Sequence, residues 1–166
     1  MVATSFIQKV KKLYVAQNGI MSTPAVSCVI RKNGATGGFI LSASHNPGGP
    51  KGDFGIKFNT ENGGPAPTDF TEKIFHFTET LAEYNIVNEL DCDVTKVGVQ
   101  QFKINDRDFE VEVVDSLNDY VDLMKSIFDF DVIRNYLKST KILINSLHGG
   151  KMKRKQSGTL QKNARF

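Results

Sequence analysis

The sequence has no apolar run as long as the roughly 18 residues that a membrane-spanning helix needs. Residues 1–10 also lack the long apolar stretch and the small-residue cleavage site of a secretory signal. These two absences predict a cytoplasmic protein without a membrane partner. The composition, 40% hydrophobic and 23% charged, is that of an ordinary globular protein.

Cysteine is scarce, with only Cys28 and Cys92 in the whole sequence. The two lie far apart and form no Cys-x-x-Cys pair, which excludes a disulfide framework and a cysteine-based zinc site. We expect two reduced thiols.

Acidic residues are missing from residues 151–166, which carry six of the 21 basic residues. The first 150 residues therefore hold 15 basic and 18 acidic side chains, a net charge of −3. A short basic segment outside any apolar pattern is more often solvated than bound to nucleic acid. We expect no nucleic-acid partner and a disordered tail over residues 151–166.

Residues 13–16 and 37–41 are short apolar runs that are typical of strands covered on both faces. Between them, Thr23 is placed to cap a helix, Pro24 suits its first position, and Asn33-Gly34 supplies a stop. Strand, helix and strand form a βαβ unit. We expect its strands to pair in parallel and a ligand to bind beyond their carboxyl ends.

Residues 68–84 predict a helix with one apolar stripe, which we expect to pack against a sheet as core. The stripe consists of Phe70, Ile74, Phe77, Leu81 and Tyr84. Residues 109–113 alternate apolar and acidic side chains, which predicts a half-buried strand at a sheet edge.

Residues 116–127 and 131–138 predict two further helices, and residues 141–145 predict a strand that enters His148-Gly-Gly. A second unit therefore begins after residue 114. The whole pattern predicts an α/β fold with a mixed, mostly parallel sheet flanked by helices.

Residues 42–59, SASHNPGGPKGDFGIKFN, place Ser44 beside His45 in a stretch rich in glycine and proline. A hydrolase elbow is excluded because Ser42 and Asn46 stand where Gly-x-Ser-x-Gly needs glycine. Neighbouring side chains on an extended segment point to opposite faces, so His45 is badly placed to be the base for Ser44 in a triad. The Walker pattern for nucleotide phosphates is absent.

Phosphoryl transfer through the serine is the fourth possibility. Pro47 favours extended geometry before it, and Gly48 and Gly49 can take positive φ, so backbone N–H groups could converge on an anion. A phosphoserine carries about −1.5 to −2 charges and needs such donors or a cation, which Lys57 in an expected strand over residues 55–58 can supply. A turn-rich connection without chemistry remains the alternative.

The same stretch, with NGGPAP over residues 62–67 and QNGIMSTPAVSCVIRK over residues 17–32, resembles the eukaryotic phosphoglucomutases of the α-D-phosphohexomutase superfamily. The similarity continues more loosely through residues 113–115 and 126–130 to His148-Gly149. It covers nearly all of the chain between about residues 13 and 149, and it is far more specific than a lone glycine motif.

The resemblance implies that Ser44 carries the transferable phosphoryl group and, through that phosphate, one ligand of a Mg²⁺ ion. It implies proton transfer or hydrogen bonding for His45 and charge stabilisation for Lys57. The implied phosphate loop includes Asn46, Gly48 and Gly49. The implied activity is an isomerase reaction that interconverts glucose 1-phosphate and glucose 6-phosphate, with glucose 1,6-bisphosphate as the phosphorylating activator.

Several family motifs have no counterpart in this sequence. The Asp-Gly-Asp-x-Asp-Arg metal loop is absent, and we expect its nearest spacing, Asp91-Cys-Asp93, to be a solvated turn. The Thr-Ser-Gly-Leu-Arg stretch, the sugar-recognition loop and the C-terminal phosphate-binding domain are also absent.

These departures lead us to expect an incomplete phosphohexomutase domain I over residues 1–114, the beginning of domain II over residues 115–150, and a basic tail. We expect a chain that is inactive or incomplete as an enzyme. The alternative is a non-catalytic, phosphoglucomutase-related interaction protein with a protein partner.

Overall fold

The computed structural model describes residues 10–84, 90–104, 106–142 and 147–148. These ranges contain five strands, four α-helices and a short 3₁₀ turn at Gln17–Gly19. The elements are β1 (Lys12–Ala16), α1 (Thr23–Lys32), β2 (Gly37–Ser42), β3 (Gly55–Thr60), α2 (Thr68–Thr80), β4 (Gly98–Ile104), β5 (Arg107–Val114), α3 (Asn118–Ile127) and α4 (Phe130–Leu137). The α/β class is confirmed. No helix in these ranges is long and apolar enough to cross a membrane.

The strands form two sheets, β1-β5-β4 and β2-β3. β1 runs parallel to β5, whereas β4 with β5 and β2 with β3 are antiparallel pairs. The expected parallel pairing of β1 with β2 is wrong, and antiparallel pairing has a larger share than expected. β2 pairs instead with β3, the next strand along the chain, and β1 pairs with β5, which is far from it in sequence.

β5 alternates as predicted, but it lies in the centre of its sheet and not at an edge. Its apolar side chains Phe109, Val111 and Val113 are buried at 3%, 1% and 0% exposure. Leu13 and Val15 of β1 pack against this core. The buried face therefore anchors the sheet.

The opposite face of β5 carries Glu110 and Glu112, which suggested an edge. Lys12 on the neighbouring strand places its Nζ 2.6 Å from a carboxylate oxygen of each. The cation compensates both acids, so an acidic strand is stable between two partners.

α1 begins one residue earlier than expected, with Ser22 as its N-cap and Pro24 in the first turn. The predicted apolar face is confirmed, because Val29 and Ile30 are buried and a Cβ added to Gly38 of β2 would lie 3.0 Å from Cδ1 of Ile30. The helix therefore packs closely on the β2-β3 hairpin.

The apolar stripe of α2 is not core in the described part of the chain, which corrects the expectation. None of the α2 residues is buried, and Phe77 is 71% exposed. Phe70 stacks on Phe58 of β3, with ring centroids 5.6 Å apart. The spacing correctly identified an apolar face, but amphipathicity does not determine which surface covers it.

Helices α3 and α4 confirm the two helices predicted after residue 114. α3 docks on α1 through Asp119, which pairs with Lys32 at 2.6 Å and whose carbonyl accepts from Cys28 Sγ at 3.6 Å. The division of the chain into two domains at residue 114 stays a prediction. Most of the predicted strand at residues 141–145 and the whole tail at residues 151–166 lie outside the described residues.

Candidate functional site

The candidate site is the serine loop, defined as residues 43–54 between β2 and β3. The hairpin closes on the pair Ser42 and Gly55, so both ends of the loop start from adjacent strand positions. Ser44 therefore stands two residues beyond the carboxyl end of β2, as the sequence predicted.

Ser44 is exposed and has a left-handed backbone, with φ at +60°. This conformation costs a non-glycine residue about 1–2 kcal/mol, so other contacts must hold it. The Ser44 N–H donates to Oγ of Ser42 at 2.8 Å, which stabilises the turn. The hydroxyl of Ser44 is thereby presented to solvent by a fixed backbone.

His45 lies closer to the serine hydroxyl than the sequence predicted. Its Nδ1 is 3.4 Å from Oγ of Ser44. The expectation of opposite faces assumed an extended segment, and it is wrong because the left-handed turn at Ser44 brings the two side chains together. A proton can move between them after a small approach.

The expected cradle of backbone amides is not formed by the first residues of the loop. The Ser44 N–H is bonded to Ser42, and the Asn46 N–H donates to the carbonyl of Ala43 at 3.1 Å. These two amides brace the loop and are not free to bind an anion. Gly49 does adopt positive φ, at +121°, as expected, whereas Gly48 does not.

Asp53 is a loop residue that the sequence did not single out. Its Oδ2 accepts from Nδ2 of Asn46 at 2.6 Å, and its N–H donates to the carbonyl of Pro47 at 2.9 Å. Both halves of the loop are tied together by this residue. A signal existed in the sequence, since an acid directly after a glycine in a turn is suited to such contacts.

Lys57 lies on β3, where it pairs with Ile40, two register positions from the Ser42 and Gly55 pair. Residues two apart on a strand share a face, so Lys57 is on the same face of the hairpin as Ser42. Its side chain is exposed, and no ion pair with a described carboxylate holds its ammonium.

An open depression of about 290 Å³ lies at the base of the serine loop. Its lining comprises Ser42, Ala43, Ser44, Asn46, Asp53, Phe54 and Gly55. The depression thus includes the serine and both members of the Asn46–Asp53 pair, but neither His45 nor Lys57 lines it.

A complete Mg²⁺ site does not fit the described residues. They contain no group of three or more His, Cys, Asp or Glu side chains able to hold a metal ion. Asp93 instead accepts from the N–H of Thr95 at 3.0 Å and pairs with Lys96 at 3.2 Å, in agreement with the predicted turn.

His148 is a second histidine whose backbone reaches the serine loop. Its N–H donates to the carbonyl of His45 at 3.3 Å, although 103 residues separate the two in sequence. No local pattern could reveal this contact, because it depends on how the later helices fold back.

The fold and the loop define an α/β protein with an exposed serine just beyond the end of a strand. A family model described as "Phosphoglucomutase/phosphomannomutase, alpha/beta/alpha domain I" matches residues 3–85, half of the chain. The chain belongs to the phosphoglucomutase/phosphomannomutase family.

Curated relatives agree with this assignment. The chain is 52% identical over 147 residues to "Phosphoglucomutase, cytoplasmic" of Populus tremula, a match that covers 84% of this chain and 25% of the relative. It is 51% identical over 143 residues to "Phosphoglucomutase-1" of Homo sapiens, covering 83% and 25% of the two chains. The chain therefore spans about a quarter of the length of these relatives.

A solved structure has the same fold over most of the chain. It is the open form of the exocytosis-sensitive phosphoprotein pp63/parafusin, a phosphoglucomutase of Paramecium. The TM-score is 0.72 at 41% sequence identity, and the match covers 81% of this chain and 26% of that chain.

Proposed function

We propose that this chain carries the phosphoserine part of a phosphoglucomutase-like site, with Ser44 as the residue that accepts and returns the phosphoryl group. The main support is geometric: the Ser44 hydroxyl is exposed at a strand end, 3.4 Å from Nδ1 of His45. Family membership supports a hexose phosphate as the substrate class. The name of the Populus relative supports a cytoplasmic location.

The proposed step moves a phosphoryl group between two oxygens. Oγ of Ser44 bonds to the phosphorus of glucose 1,6-bisphosphate while the bond from that phosphorus to the sugar oxygen breaks. Nδ1 of His45 takes the hydroxyl proton, and a proton is returned to the released sugar oxygen. Reversal onto the other sugar hydroxyl interconverts glucose 1-phosphate and glucose 6-phosphate.

Charge compensation is the second requirement, because the transferred group carries about two negative charges. Lys57 is the proposed source of a cation from β3, and Asn46 with Gly48 and Gly49 forms the proposed phosphate loop. The family implies that the phosphate on Ser44 is one ligand of a Mg²⁺ ion. The described residues contain no group of three or more side chains able to hold a metal ion, so we assign the ion no step.

The test is phosphoryl uptake by this chain alone. The protein is incubated with glucose 1,6-bisphosphate and Mg²⁺, and its intact mass and phosphopeptides are measured. We expect one added phosphoryl group on Ser44, none in Ser44→Ala, and normal uptake in Ser139→Ala, which removes an exposed serine outside the loop. Unmodified wild-type protein would contradict the proposal and favour a non-catalytic interaction protein.

A further inference from the structure

We propose that Asp53 is a positioning residue that sets the conformation of the Ser44 to Asn46 segment for phosphoryl transfer. This inference rests on the proposed function of Ser44 and adds a residue on the opposite limb of the loop. Asp53 acts through Asn46 and Pro47, and it needs no contact with the substrate.

Asp53 holds the loop at two points. Its carboxylate accepts from Nδ2 of Asn46 at 2.6 Å, and its own N–H donates to the carbonyl of Pro47 at 2.9 Å. A parallel bridge between Gly48 and Asp53 continues this contact. The limb that carries the serine is therefore fixed to the limb that leads into β3.

The carboxylate also determines how the Asn46 amide is oriented. An ionised carboxylate only accepts hydrogen bonds, so the NH₂ group of Asn46 must face Asp53 and the amide oxygen must face away. A charge-assisted bond is about twice as strong as a neutral one. Asn46 and Asp53 both line the depression beside Ser44, so this orientation is set inside the candidate site.

The experiment compares Asp53→Ala and Asp53→Asn with wild-type protein. Asparagine can still accept from Asn46 through its amide oxygen, so it should keep the loop shape with a weaker bond. We expect the rate of phosphoryl uptake from glucose 1,6-bisphosphate to fall roughly tenfold in Asp53→Ala and only about threefold in Asp53→Asn. The matched control is Asp122→Ala, an exposed acid on α3 that pairs with Lys125 at 3.6 Å and lies outside the serine loop, and its rate should be unchanged.

A second readout does not depend on phosphoryl transfer. In ¹H–¹⁵N NMR spectra, Asp53→Ala should shift the backbone amide of Ser44 and the side-chain NH₂ of Asn46, whereas Asp122→Ala should leave both unchanged. A double mutant that combines Asn46→Ala with Asp53→Ala should shift the Ser44 amide no further than Asp53→Ala alone, because the two residues act as one unit.

The outcomes separate this inference from the proposed function. Unchanged Ser44 and Asn46 resonances in Asp53→Ala overturn the positioning role. An equal loss of uptake in Asp53→Asn and Asp53→Ala also overturns it, because the effect would then come from the lost charge. Asp53→Ala can also shift these resonances while the wild-type protein takes up no phosphoryl group. That result supports the positioning role and overturns the proposed function instead.

Discussion

The backbone N–H of Ser44 donates to the side-chain oxygen of Ser42 at 2.8 Å, so the last residue of β2 holds the proposed phosphoryl acceptor in its left-handed turn. The bond spans two residues and uses a donor that would otherwise be available to an anion. Fixing the serine backbone reduces the conformational freedom lost when the hydroxyl is aligned with a substrate.

Ser42→Ala should slow phosphoryl uptake on Ser44, because it removes the acceptor that stabilises a strained turn. A hydrogen bond of this kind contributes about 1 kcal/mol, which corresponds to roughly fivefold in rate. Ser42→Thr keeps the oxygen and should retain uptake. The measurement is the time course of the phosphorylated mass, and equal rates for the alanine and threonine variants would argue against the bond.

Gly52→Ala should disrupt the serine loop without unfolding the protein. A Cβ at Gly52 would clash with the carbonyl oxygen of Pro47, so the loop must move. Misplacement of a reacting group by about 1 Å can cost roughly a hundredfold in rate.

We therefore expect a large loss of phosphoryl uptake with little change in melting temperature for Gly52→Ala, because the loop is exposed. Lys51→Ala, an exposed neighbour, is the control and should behave like wild-type protein. Normal uptake by Gly52→Ala would show that the loop tolerates the shift.

Acid should destabilise the protein partly through the cluster of Lys12, Glu110 and Glu112. Hydrogen bonds from Lys12 and then Gln101 lower the pKa of Glu110, and bonds to Glu110 and then Glu112 raise the pKa of Lys12. A lowered folded-state pKa means that the stabilisation is present above the unfolded pKa of about 4.3. It is lost as the pH falls through the folded-state value.

We expect the melting temperature to decrease as the pH drops below about 5. The decrease should be shallower in Lys12→Met, because Glu110 and Glu112 no longer have the cation as a partner. The raised pKa of Lys12 acts in the opposite sense: its stabilisation is complete below the unfolded value near 10.4 and is lost at higher pH. Lys103→Met, which removes only a loose 3.8 Å pair with Asp106, is the control. An acid profile of Lys12→Met identical to wild type would exclude the cluster as the cause.

Local patterns predicted the elements around the serine well. The apolar runs, the proline near the start of α1 and the glycine after it located β1, α1 and β2, and the loop composition located Ser44 at a strand end. These features depend on residues within a few positions of one another. The sequence therefore contained most of what places the serine.

Features that depend on distant partners were missed. The pairing of β1 with β5 joins residues about 98 positions apart, such as Lys12 and Glu110, and no periodicity encodes it. β4 was missed because its apolar and polar residues do not alternate cleanly. Asp106, which has positive φ between β4 and β5, was an available turn signal.

Val113→Ala tests whether the β1-β5 pairing forms the stable centre of the described fold. Val113 has 0% exposure and lies in register with Val15 of β1. Removing its two methyl groups should cost about 2 kcal/mol, or roughly 6 °C in melting temperature. The matched control is Val99→Ala on β4, which is 53% exposed and should change the melting temperature by less than about 2 °C. Equal effects of the two substitutions would mean that the sheet is not packed on Val113, and the long-range pairing with β1 would then lose its energetic basis.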